Sequence, residues 1–96
     1  MQKEKLQQFA TELQCEVQQR GYERLTVNVQ RGHAVVKIDG QALARFSPGP
    51  GNELQLSYHN HTGRWEPMPF TARKPGEAAQ LMLDILAPHI QAFCDF

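Results

Sequence analysis

Between Gln2 and Arg20 the apolar residues Leu6, Phe9, Ala10, Leu13 and Val17 recur three or four positions apart, the spacing that lines one face of an α-helix. Gln, Glu and Lys fill the gaps, and these form helix well without requiring burial. Gly21 follows, and glycine closes a helix in the left-handed region without a Cβ clash. The spacing predicts a first helix that ends at Arg20.

The period then drops to two. Leu25, Val27 and Val29 alternate with Thr26, Asn28 and Gln30; Ala34, Val36 and Ile38 follow an Arg31-Gly32 turn. Ala42, Ala44 and Phe46 follow the hairpin pair Asp39-Gly40, and Leu54, Leu56 and Tyr58 resume after Pro48-Gly49-Pro50-Gly51-Asn52. One-sided alternation of this kind belongs to an antiparallel meander with one face on a core and the other toward water. Arg64 to Phe70 contains Pro67 and Pro69, so it fits a fifth strand only at a sheet edge, because proline has no N–H for an inner ladder.

Pro75 suits the first turn of a second helix, where its missing N–H costs nothing, and Glu77 suits the positive end. Ala79, Met82, Leu83, Leu86, Ile90 and Phe93 form the main apolar stripe, with Pro88 expected to kink the helix. A second apolar edge, Ala78, Leu81, Ile85 and Ala92, is expected to be buried, the alternative being that it docks on another chain. The order α-β-β-β-β-(β)-α predicts an α+β fold, a four- to five-stranded antiparallel sheet with two helices packed on one face, in one domain over residues 1–96.

Composition narrows the function classes. The chain has 96 residues, 41% hydrophobic and 21% charged, which is ordinary globular usage. Ten Lys and Arg balance ten Asp and Glu, so no net field for nucleic acid or a membrane surface is expected. Behind Met1-Gln2-Lys3-Glu4-Lys5 there is no apolar run of the about 7–15 residues a secretory signal needs, and the expectation is a cytoplasmic protein without membrane insertion. Cys15 and Cys94 belong to no Cys-x-x-Cys motif; reduced, partly buried thiols are expected, a disulfide between the two helices being the alternative.

No phosphate-binding glycine loop, activated nucleophile or paired carboxylate stands out, so a non-catalytic chain without a cofactor is expected. Arg64, Arg73 and Lys74 flank the entry to the second helix and could meet an acidic group there. His59 and His61 project to the same side of an extended segment, and with His33 or scattered carboxylates they give an alternative reading as a metal- or iron-handling site. The predicted outward sheet face carries Thr26, Asn28, Val35, Lys37, Leu43, Arg45, Gln55, Ser57 and His59, none aromatic, so an RNA-stacking platform is not expected. Val35 and Leu43 as an apolar centre, Lys37 and Arg45 as a polar rim, and Trp65 with Arg64 beside them make a partner-binding strip for another protein or a multi-protein complex. A homodimer through the second helix or an edge strand is a further alternative.

The N-terminal amphipathic helix, the meander entered through Leu25 to Val29, the Asp39-Gly40 hairpin, the late Trp65 strand and the C-terminal helix together resemble the frataxin-like fold. Frataxins carry a dense acidic ridge on the first helix and strand. Here Glu4, Glu12 and Glu16 are interleaved with Lys3, Lys5 and Arg20, and Leu25 to Gln30 has no carboxylate. The resemblance therefore implies the other use of that fold, an accessory subunit docked on a large redox complex such as respiratory complex I.

Overall fold

A computed structural model describes residues 2–60 and 62–94, with the side chains of 89 and 91–94 excepted. Helix α1 spans Lys3–Gln19 and helix α2 spans Pro75–Cys94. Between them run β1 (Leu25–Gln30), β2 (His33–Ile38), β3 (Gln41–Pro48), β4 (Leu54–His59) and β5 (Trp65–Ala72). The five strands form one antiparallel sheet in chain order, so the proline-bearing segment is indeed a fifth strand and lies at an edge. Both helices pack against the same side of this sheet and against each other. The α+β architecture expected from the periodicities is the one observed.

Local chemistry explains the joints. At the end of α1, Gly21 takes φ 91°, its N–H bonds the carbonyl of Gln18 and the N–H of Tyr22 bonds that of Val17 at 3.0 Å. This paired closure satisfies two orphan carbonyls and swings Tyr22 onto the core. The β1–β2 and β2–β3 hairpins turn on Arg31-Gly32 and Asp39-Gly40, each pair with positive φ at both positions, the geometry whose twist matches that of the strands. Arg24 grips Asp39 across the second turn, its Nε donating at 3.0 Å. At the start of α2 the Glu77 carboxylate reaches back to accept from the N–H of Arg73, just before the helix, at 3.1 Å. The Arg73 guanidinium in turn binds Glu53 at 3.0 Å, so of Arg64, Arg73 and Lys74, the cations expected to meet an acidic group, Arg73 has an internal partner.

The core lies between the helices and the sheet. Leu6, Phe9, Ala10, Leu13 and Val17 of α1 meet Leu25, Val27, Ala34, Val36, Ile38, Ala44, Phe46, Leu54 and Leu56, with Phe9 edge-on to Phe46 at 5.7 Å. Helix α2 contributes Ala78, Ala79, Met82, Leu83, Leu86 and Ile90, while Leu81 and Ile85 pack partly buried beside them. Burial therefore accounts for the described part of its second apolar edge, and α2 continues through Pro88. The side chains of His89, Ala92, Phe93 and Cys94 lie outside the described residues. Cys15 is a free thiol and exposed, not partly buried.

Two irregularities reset the side-chain alternation. Val36 pairs with Ala44 but Lys37 pairs with Ala42, so Leu43 is an extra residue, a β-bulge in β3. Leu43 consequently turns inward, is 4% exposed and belongs to the core, while Ala42 takes the outward position opposite Lys37. The expectation of Leu43 on the outward face is corrected on this point. In β5 the register slips between Thr71, opposite Gln55, and Pro67, opposite Ser57. The slipped segment carries Met68, partly buried, and Phe70, 39% exposed.

Candidate functional site

With both helices on one side, the other side of the sheet has no covering layer among the described residues. Register arranges it in rows across the strands. The middle row is continuous: Asn28, Val35, Arg45, Ser57 and Pro67 are successive partners from β1 to β5. Toward one end of the sheet lie Lys37, Ala42, His59 and Trp65, the last two paired with each other. Toward the other lie Gln30 paired with His33, and Ser47 paired with Gln55.

The centre of this face is shaped by one cation. The Arg45 guanidinium carbon lies 4.6 Å from the centroid of the Trp65 ring, and the edge of His59 meets the same ring at 5.0 Å. Arg45 is on β3 and Trp65 on β5, so the arginine side chain crosses β4 over Ser57 to reach the indole. Ser57 is accordingly 6% exposed although no element covers it. Val35 is 5% exposed, flanked by Arg45 across the ladder and by His33 and Lys37 two positions either side on its own strand. Long side chains lying flat, with apolar stems on the sheet, make this cover. Lying flat has a cost: Arg45 Nε is buried without a hydrogen-bond partner among the described residues.

His33 Nδ1 and Ser47 Oγ share a hydrogen bond of 2.8 Å. Burial, and then the nearby Arg45 charge, hold the His33 pKa below its usual value. Glu66 pairs with Tyr58, a residue packed on the core, which puts this carboxylate on the helix side of the sheet. Hydrogen bonding to Glu66, followed by desolvation and the Glu66 charge, pushes the Tyr58 phenol pKa up, and Glu66 also accepts from Asn60 Nδ2 at 2.8 Å.

Of the strip expected from the sequence, the structure brings Val35, Lys37, Arg45 and Trp65 to the open face. Leu43 leaves it for the core. Arg64 is exposed in the β4–β5 turn, outside the ladder, where its N–H bonds Asn60 Oδ1 at 2.9 Å. Ser57 and His59 join the strip as the floor and flank of the Arg45–Trp65 stack. The histidines do not gather: His33 neighbours Ser47, whose partner Gln55 is four residues from His59 on β4. Two strand spacings and four residue rises place them about 16 Å apart, far beyond the about 2 Å bonds of a shared metal ion. His61 lies outside the described residues. Among those described, no three His, Cys, Asp or Glu side chains come together, and no helix is long and apolar enough to cross a membrane. Comparison with family models, curated proteins and solved structures finds no match to the chain.

Proposed function

We propose that this chain is a small non-catalytic, cytoplasmic protein-binding subunit that docks another protein, or a multi-protein complex, on the open face of its sheet. The observation that supports this reading is the preassembled patch of Val35, Arg45, Ser57, His59 and Trp65, ordered with no second layer over it. An aromatic and an arginine fixed against a sheet pay little entropy on binding, and these residue types dominate interface energetics. The frataxin-like order of elements fits the same accessory role, because that use of the fold requires a docking face and no acidic ridge.

The test is capture from native lysate at physiological salt. Wild type and Gln8→Ala, a change on the exposed side of α1, should both retain a stoichiometric partner. Trp65→Ala should lose it while its circular dichroism stays native. Equal retention by Trp65→Ala would place the docking surface elsewhere. If the captured species is a second copy of this chain, and sedimentation shows a dimer that Trp65→Ala dissociates, the homodimer is the assembly and the same face makes it.

A further inference from the structure

The neutral net charge conceals a separation. Across all five strands the only carboxylate is Glu66, and it sits on the helix side, tied to Asn60 and facing Tyr58. The strand cations Lys37 and Arg45 both occupy the open face. On the helices acids prevail: α1 carries Glu4, Glu12 and Glu16 against two lysines, and α2 carries Glu77 and Asp84 with no Lys or Arg. The ion pairs found among the described residues, Arg20–Glu16, Arg24–Asp39 and Arg73–Glu53, all lie off the open face. Arg45, at its centre, joins none of them, and its Nε–H is left unanswered beneath the side chains.

Resting on the docking reading above, we infer that the partner is an acidic protein segment, with a carboxylate that engages the Arg45 guanidinium over Trp65 and a second one facing Lys37. A guanidinium held in place by an indole presents its remaining donors as a fixed fork, the geometry that suits a carboxylate. Val35 lies between the two cations, buried under their apolar stems, and helps to hold them in place. A protein carboxylate fits better than a nucleic acid on two grounds. Two fixed cations neutralise few phosphates, and the face of the indole that a base would stack on is covered by Arg45.

Trp65 is the sole tryptophan, so its emission reports the site directly. The probe is a short capped peptide of alternating glutamate and leucine, titrated at low ionic strength beside its glutamine-for-glutamate counterpart and an oligothymidylate. The glutamate peptide should change Trp65 emission saturably and bind at least about tenfold more tightly than the glutamine peptide. Arg45→Gln should remove that preference, as should Lys37→Gln, which leaves the stack intact should the arginine variant fail to fold. Equal affinity for the two peptides, or tighter binding of oligothymidylate, would overturn the inference. The lysate capture separates the two proposals: a partner lost by Trp65→Ala but indifferent to Arg45→Gln, Lys37→Gln and added salt would refute the acidic segment and leave the docking face standing.

Discussion

Leu43 shows how much one residue can carry. Alternation from Ala42 to Phe46 assigns it to the water side, yet it is among the core residues because β3 accommodates it as a bulge. Leu43→Ala should therefore cost about 2–5 kcal/mol in urea unfolding, the penalty of a large-to-small core change. Leu43→Asp should unfold the protein instead of testing its docking face, since an unpaired carboxylate would enter the core. The sequence held one hint: an alanine on each supposed core position beside a leucine facing water reverses what burial favours. His33 gives a second residue-scale expectation. Its pKa is depressed in the folded chain, so the unfolded chain binds more protons in the interval below 6.5. The stabilising effect of a neutral His33 is present above pH 6.5 and is lost as pH falls through the folded value. Urea midpoints measured from pH 7.5 to about 4.5 should decline less steeply in His33→Gln than in wild type. Equal slopes would show that burial and Arg45 leave His33 untouched.

At the scale of elements, the first four strands and both helices were legible because each has a clear period and a chemically apt terminus, while β5, with two prolines and no alternation, could be read only as an optional edge strand. Gly21, Asp39-Gly40 and Pro75 occupy the joints where their backbone preferences predict them. The sheet's outer details were less legible, because the bulges in β3 and β5 change register with little local mark in hydropathy beyond the misplaced leucine of β3. The Arg45–Trp65 stack depends on that register and so could not be read from residue types alone. The sheet edges follow a different logic. Pro67 and Pro69 weaken β5 as a template, while β1 is closed by Gln14 from α1. Its side-chain amide donates to the Leu25 carbonyl at 3.1 Å and its oxygen accepts from the Val27 N–H at 2.5 Å. Gln14→Ala should cost about 1–3 kcal/mol and expose those backbone groups. Sedimentation should then show concentration-dependent self-association absent from wild type, whereas a strictly monomeric variant would mean the edge is protected by other means. At the β1–β2 turn, Arg31 stands at φ 52°, where a non-glycine side chain is strained. Arg31→Asn creates the preferred Asn-Gly pair and should raise thermal stability by up to about 1 kcal/mol.

On the scale of the whole molecule, the two helices on one side of the sheet decide everything that faces outward. They absorb the apolar side of the strands and also carry half of the acid, five of ten carboxylates, leaving a sheet surface whose ionised groups are cationic. A chain with ten charges of each sign is neutral at a distance, so it neither draws a partner in nor repels it. What it has is an uneven placement of charge, cationic on the open face and acidic on the helices, and at physiological salt such a field reaches only about 8 Å. The molecule should thus meet partners at the unremarkable rate of an uncharged body, and be turned to present one side only in the final approach. Electrostatics here would select orientation rather than speed.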